Sequence, residues 1–480
     1  MKYSIPNSMA VKRKRHYLNI FFMVLFALAL PFLLGLLESG VNQERLSATF
    51  SNYYRFFVAS GILFFVLFSL ESYMHVRHAD KMDSRKQLLV IMLVITLTYF
   101  FAIIFGAFIS VYTMPLVMSG LLIGMLIERQ LALFGNVLIN LAFFFLYLTI
   151  SPGSDISGLL SAVITSSISG CIFVIVMRHT YTRMSFFIKS LIIGLFVAIP
   201  VAILCTLINV DFTAFDILVN SLWAFVSIVL SVAFFMVLLP MFESIFRLYT
   251  NFRLEELCSA EYPLLRKLAT EAPGTYNHSL AVGNIAEACA IKIGENPALA
   301  KACAYYHDLG KIKNPICFTE NQKGYNPHDD FIPEVSIKMI TDHTDHGYDL
   351  LKQNKFPSII ADTAREHHGT TAVKYFYHKV RNITDEELEQ EEFCYQGPKP
   401  QTKVAAIIMI ADTVEAATRA QGIDQDIENF RSFIHGLIQD KVRHNQFDEC
   451  PLTLKDIKDI EDTLVETIPS LYHQRIKYSK

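Results

Sequence analysis

Charge is scarce in the first half of this 480-residue chain: from Leu88 to Pro240 only eight side chains are Asp, Glu, Lys or Arg. That excludes an ordinary soluble surface there and points to a stretch solvated by lipid. Cysteine pairs are missing too. The eight cysteines, at 171, 205, 258, 289, 303, 317, 394 and 450, form no C-x-x-C. A zinc ribbon and a disulfide framework are therefore not indicated, and the thiols read as buried or cytosolic. The net charge of −3 lacks the basic excess of a nucleic-acid binder, so no DNA or RNA polymer is expected as a partner. Ionisable residues deep inside the apolar runs, the usual mark of a transport pathway, are almost absent. Lys189 sits near a run's end, Glu128 and Arg129 at an interface, and Asn136 and Asn140 read as helix–helix hydrogen-bonding groups.

What is present divides the chain in two. The mean hydropathy of +0.35 averages unlike halves, since eleven of the fifteen histidines fall beyond residue 250. A spanning helix needs about 20 apolar residues. Eight runs qualify: 17–37, 54–74, 88–110, 113–130, 132–150, 157–177, 187–208 and 217–243. The third and fourth are split only by "VYTMP", which predicts a tight helical hairpin with Pro115 opening its second arm. The first run is longer than a signal-peptide core and no A-x-A-like site follows, so it is expected to stay as an anchor. Basic residues precede the first span ("KRKRH") and follow the second ("HVRHADKMDSRK"), the fourth (Arg129) and the sixth ("RHTYTR"). All fall on one side, which predicts that both termini are cytoplasmic.

The expected organisation is all-α: a polytopic helical membrane domain over 1–244, a connecting helix over 245–272 broken at Pro263, and an all-helical cytoplasmic domain over 273–480. Thr275 is the expected cap of "NHSLAVGNIAEACAIKIG", which Gly294 ends, and Asn296 caps "NPALAKACAYYHDLG". Five further helical stretches follow, with no convincing strand pattern. The acidic "TDEELEQEEF" reads as a solvated loop.

Nearly every one of these helices carries a histidine or aspartate on an otherwise apolar or small-residue surface. His278 opens the first and His307–Asp308 close the second. His343 and His346 sit on the third, His367–His368 end the fourth, and Asp412 lies within "IIMIADTVEAA". A carboxylate among Ile, Met and Ala costs several kcal/mol to bury unless it is paired or meets a cation. Adjacent helical side chains diverge by roughly 100°, so the 367–368 doublet can serve one site only at a helix end, which Gly369 supplies. His343 and His346 share a face, and either could contribute. Five helices thus offer six imidazole or carboxylate groups besides Asp308, enough for two cations bridged by Asp308. Imidazole with carboxylate suits iron, manganese or zinc. Two such metals activate a water and hold a phosphoryl group, and Lys311, one turn on, can neutralise a phosphate oxygen.

The ordered set H…HD-x-G-K…H…HH…D resembles the HD-domain metal-dependent phosphohydrolases. The stretches "EAPGTYNHSL", "AYYHDLGKIKNP", "ENQKGYNPHD", "HHGTTAVKYFYHK" and "GPKPQTKVAAIIMIADTVEAA" are similar to the PgpH-type seven-transmembrane HD class, which hydrolyses cyclic di-AMP. The resemblance implies a phosphodiesterase of a bacterial plasma membrane that makes linear 5′-pApA with two divalent ions, iron or manganese. It implies that His278, His307, Asp308 and Asp412 hold one ion. His343, His367 and His368 hold the other, with Asp308 bridging and Lys311 near the substrate. It favours His343 over His346 and leaves His328, in a loop after proline, outside the ligand set. The implied partners are a cyclic dinucleotide and the lipid bilayer, with a homodimer left open. One departure is clear. Members of this class commonly carry a large extracellular domain after the first span, whereas only "ESGVNQERLSATFSNYY" separates the first two spans here. Cyclic di-GMP hydrolases of the superfamily carry a "GYP" element and a glutamate after the paired histidines, and "HHGTTAV" has neither. A nucleotide sensor that has lost catalysis would be expected to lack a ligand or Lys311, and none is missing.

Overall fold

The computed structural model describes residues 6–41, 53–77, 84–151, 153–176, 182–208, 212–246, 248–381, 390–422 and 426–471. The connector at 42–52, the basic residues at 78–83 and 177–181, and the start of the acidic stretch up to 389 lie outside the described residues. Two compact units divide at Thr250 and Asn251. Among the described residues there is no strand, only an isolated antiparallel bridge between Ala372 and Cys394.

The first unit holds α1 (Pro6–Val41), α2 (Tyr53–Arg77), α3 (Ser84–Phe108), α4 (Val117–Leu126), α5 (Arg129–Ile150), α6 (Ile156–Val176), α7 (Arg183–Ile208) and α8 (Ala214–Phe246). Seven of them are long and apolar enough to cross a membrane. α4 is the exception. The run 113–130, expected as a full span, is a 3-10 turn (Val111–Thr113), an irregular stretch and a ten-residue helix. At 1.5 Å per residue that helix covers about 15 Å, half of a hydrocarbon core. Irregular backbone at membrane depth must be satisfied by protein. Here Ser227 Oγ donates to the Met114 carbonyl at 2.6 Å, and Thr113 Oγ1 donates to those of Ser110 and Phe105. α4 itself is almost wholly buried. Asn136 of α5 donates to the Ser167 carbonyl of α6 at 2.9 Å, and Asn140 to the Ser167 hydroxyl, so both asparagines join helices as expected. Among the described residues of this unit three acids are also buried: Glu71 in α2, Glu243 in α8 and Glu38 in α1, the last accepting from Ser151 at 3.0 Å.

The second unit begins with α9 (Asn251–Leu257) and α10 (Pro263–Glu271), where one connecting helix was expected; Pro263 opens the second. Their Leu254, Leu257, Leu265 and Leu268 are buried in one core with Val282, Ile285, Ile407, Ile410 and Ile434. α11 (Pro273–Ile293) starts at Pro273, so Thr275 is not its cap. Asn321 Oδ1 instead accepts from the amides of Gly274 and Thr275, while the Thr275 hydroxyl donates to Glu320. Asn296 caps α12 (Pro297–Tyr306) through the Leu299 amide, and Gly294 closes α11 at φ +78°. Then come α13 (Pro333–Gln353), α14 (Ser358–Glu366), α15 (Lys374–Arg381), α16 (Lys403–Gln421), α17 (Ile427–Arg443) and α18 (Leu454–Leu471).

One close approach sets the site's geometry. A Cβ on Gly310 would stand 1.9 Å from the His343 carbonyl oxygen and 2.6 Å from the Gly347 amide. Only glycine lets the turn after α12 touch the backbone of α13, and that contact carries Asp308 up to His343.

Candidate metal centre

Each polar side chain of the site is delivered by an element end or a buried helix face. His307 caps α12 with helical dihedrals, and Asp308 follows at φ −102°, ψ 13°, starting the 3-10 turn Leu309–Lys313. α14 ends at Glu366, so His367 and His368 can turn towards the same side, and their ring centroids are 4.0 Å apart. Gly369 supports that ending at φ +53°, where a Cβ would lie 2.3 Å from Gln446 Oε1. Asp412 sits mid-way along α16, a helix buried over most of its surface.

These residues converge in two groups. Asp308, His343, His367 and His368 each offer a ligand atom within 4.8 Å of the others, and so do His278, His307 and Asp412. Asp308 faces both. Its Oδ1 lies 3.2 Å from His343 Nε2 and 3.6 Å from His367 Nε2. Its Oδ2 lies 3.3 Å from His307 Nε2 and 3.6 Å from His278 Nε2. Asp412 Oδ1 is 2.9 Å from His278 Nε2, and its Oδ2 is 3.8 Å from His368 Nδ1. All seven side chains singled out in the sequence are thus brought together. His346 belongs to neither group and borders a small separate cavity beside Lys313. His328 donates Nε2–H to the Cys317 carbonyl at 2.8 Å and lies outside both groups.

The donor chemistry fits cations. A backbone carbonyl only accepts, so three rings must carry their proton on Nδ1. His307 donates to Ala304 at 2.7 Å, His343 to Ile340 at 2.5 Å and His367 to Ala364 at 2.9 Å. Their Nε2 lone pairs then point inward, His343 Nε2 lying 3.4 Å from His367 Nε2, towards a carboxylate. Lone pairs facing lone pairs and a buried carboxylate repel unless positive charge lies between them. His307 Nε2 and Asp308 Oδ1 are buried without a hydrogen-bond partner, as ligand atoms would be, while Asp308 Oδ2 has the Lys311 ammonium beside it. Burial pushes the Asp308 carboxyl up, yet His307, Lys311 and His343 outweigh it and hold it well below the usual range. Asp412 is treated alike by His278 and His307. Burial depresses His367 to about 4 and holds His368 well below its usual range, which keeps both neutral, the state a metal ligand needs. At His307 burial is outweighed by Asp308 and Asp412, which raise the imidazole to about 10, a positive charge that a bound cation would supply instead.

Around the centre lies a cavity of about 820 Å³, walled by Phe318, Tyr375, Phe376, Tyr395, Lys311, Arg419 and the metal-facing groups. Lys311 Nζ sits 2.6 Å from Asp308 Oδ2, 3.0 Å from Glu320 Oε1 and 4.8 Å over the Phe318 ring. The Tyr395 ring lies 4.2 Å from that of His368. It is placed by two backbone bonds, Val373 N–H to the Phe393 carbonyl and Tyr395 N–H to that of Thr371. Sequence reasoning passed over Tyr395, Glu320 and Glu415. Glu415 receives the Nδ1–H of His278 at 2.5 Å. Its signal was present, a second acid three residues after Asp412 on the same buried helix.

A fold of this kind, with an HD pair at the hub of a helical domain behind a membrane unit, defines a class. The family model described as HD domain matches residues 275–417, and that described as 7TM receptor with intracellular HD hydrolase matches 53–250. The chain belongs to this family of seven-transmembrane HD proteins, as the sequence resemblance implied. Cyclic-di-AMP phosphodiesterase PgpH of Listeria monocytogenes is 41% identical over 316 residues, 65% of this chain and 43% of that protein. PgpH of Bacillus subtilis is 37% identical over 381 residues, 76% of this chain and 51% of that protein. The chain therefore spans about half the length of the curated relatives it matches. The crystal structure of the L. monocytogenes PgpH HD domain in complex with cyclic-di-AMP is 47% identical. It covers 45% of this chain and is itself wholly covered, with a TM-score of 0.43.

Proposed function

We propose that this chain is a membrane-anchored phosphodiesterase that hydrolyses cyclic di-AMP to linear 5′-pApA with two divalent cations, iron or manganese. One observation carries the reading: the two oxygens of Asp308 each face one of two separate imidazole groups. His278, His307 and Asp412 would hold one ion and His343, His367 and His368 the other, with Asp308 shared. Such a pair supplies Lewis acidity to a phosphoryl group and lowers the pKa of a bound water. The chain's own contribution is placement. The backbone carbonyls behind three histidines lock their tautomers, and burial keeps the ligand atoms dry. Lys311 sets an ammonium at the cavity wall, where it can meet a phosphate oxygen. Phe318, Tyr375, Phe376 and Tyr395 offer flat apolar faces suited to purine rings. Substrate identity rests on the two PgpH relatives, both cyclic-di-AMP phosphodiesterases.

We place the protein in a bacterial plasma membrane with both termini cytoplasmic. With seven long spans this requires that residues 111–128, although half irregular, bring the chain back across the bilayer. The deciding experiment is turnover by the purified full chain, loaded with manganese, or with iron under anaerobic conditions. Cyclic di-AMP should be cleaved to 5′-pApA in preference to cyclic di-GMP. Binding without cleavage would make the chain a nucleotide sensor, and turnover surviving complete metal removal would end the two-cation reading.

A further inference from the structure

The metal-facing imidazoles are not backed alike. His307, His343 and His367 donate their outer N–H to neutral backbone carbonyls. His278 donates to a carboxylate, Glu415 Oε2, at 2.5 Å. The other oxygen of Glu415 is gripped by Arg419 Nη2, and the Glu415 side chain is completely buried. Asp412, Glu415 and Arg419 stand three and four residues apart, so they lie along one face of α16. A single helix therefore meets both nitrogens of His278: Asp412 faces Nε2 and Glu415 faces Nδ1. Arg419 runs on from the buried carboxylate to the cavity wall.

A full negative charge behind an imidazole does more than a carbonyl dipole. It raises the basicity of the opposite nitrogen and fixes the ring plane, and loss of such a partner weakens metal binding about 10- to 100-fold. Among the described residues no ring of the Asp308–His343–His367–His368 group donates to a carboxylate within hydrogen-bond distance, Asp412 Oδ2 standing 3.8 Å from His368 Nδ1. Two of its outer N–H groups meet carbonyls, and His368 turns Nδ1 towards Asp412.

We propose that Glu415, held by Arg419, is a positioning residue for His278 and makes the His278–His307–Asp412 group the tighter of the two cation sites. This rests on the two-cation reading above. It adds an order of filling: the site on α11 and α16 loads first, and the histidine-rich site on α13 and α14 loads second. If Glu415 were only a buried counter-ion for Arg419, a neutral amide of the same shape would leave cation binding unchanged.

The test is manganese binding to the full chain in detergent, followed by equilibrium dialysis and by the electron paramagnetic resonance of bound ion. Wild type should take up two manganese ions in two resolved steps. Glu415→Gln keeps the shape and an acceptor for His278 but removes the charge. Its first step should weaken about 10- to 100-fold while the second stays as in wild type. With cyclic di-AMP as substrate, the manganese concentration giving half-maximal rate should rise, and excess manganese should restore kcat with KM unchanged. Glu415→Asp keeps the charge pair with Arg419 and withdraws the carboxylate, so it should fall between the two. It carries the test if the glutamine variant does not fold. Two steps of wild-type affinity in either folded variant, or loss confined to the second step, would overturn the assignment. A wild type that binds no manganese would instead sink the underlying two-cation reading.

Discussion

Gly310→Ala tests whether one backbone contact sets the distance between the two halves of the site. The new Cβ would meet the His343 carbonyl oxygen at 1.9 Å and the Gly347 amide at 2.6 Å, and both are backbone atoms that no rotamer can move. Reaching even 3.0 Å, the closest approach that real Cβ atoms tolerate, requires the turn and α13 to part by more than an ångström. Asp308 Oδ1 and His343 Nε2 are 3.2 Å apart across that contact. A shift of about 1 Å at reacting groups can cost about 100-fold in rate, and overpacking of this kind costs about 1–3 kcal/mol of stability. The expected variant is folded, somewhat less stable, depleted in one of two bound manganese ions and about 100-fold slower on cyclic di-AMP. The assay pairs turnover with bound-metal analysis and a thermal melt. Gly294→Ala is the control: it strains a φ of +78° with nothing within 4 Å, so it should lose stability and keep its rate. If Gly310→Ala kept wild-type turnover and both ions, the claim that glycine-mediated contact positions Asp308 would be refuted.

Chelation should abolish turnover and lower the melting point of the second unit, because ion at 100 times its Kd contributes about 2.7 kcal/mol to the folded state; an unchanged melt would count against a buried cation pair. Tyr395→Leu removes the ring lying 4.2 Å from His368 and one aromatic wall of the cavity. It should raise KM for the cyclic dinucleotide by about tenfold, the worth of one base-stacking contact, while manganese stoichiometry holds. Asn136→Leu in α5 removes its bond to Ser167 and should destabilise the membrane unit by about 0.6–1.7 kcal/mol in detergent unfolding, with no effect on metal content. Cysteines placed at Ile109 and Gln130 of a chain whose eight native cysteines are replaced by serine should react with an impermeant maleimide from opposite faces of the membrane. Labelling from one face would show that residues 111–128 do not cross.

Much of the site was legible because its signals are costly ones. A carboxylate inside "IIMIADTVEAA" needs a reason to be buried, and a histidine doublet before glycine needs a helix end to be useful. His278 and Asp412, 134 positions apart, meet at 2.9 Å. Glu415 escaped notice because a glutamate among alanines also suits a solvated helix face; its burial depends on His278 and Arg419 arriving from other turns. The short α4 was hidden for a different reason. Hydropathy integrates side chains and is blind to hydrogen bonding, so an irregular stretch satisfied by Ser227 and Thr113 scores as well as helix. Thr275 looked like a cap by spacing, but Asn321, 46 positions on, took that task.

The short tie between residues 371–373 and 393–395 has a practical consequence. Because Tyr395 is anchored by those main-chain bonds, the chain departs after residue 373 and returns at residue 393 through a closed gatepost. The tie holds the tyrosine over its histidine, while Tyr375 and Phe376, just inside the excursion, wall the same cavity. That makes Tyr375 and Phe376 natural positions at which to retune the shape of the cavity without disturbing the tyrosine.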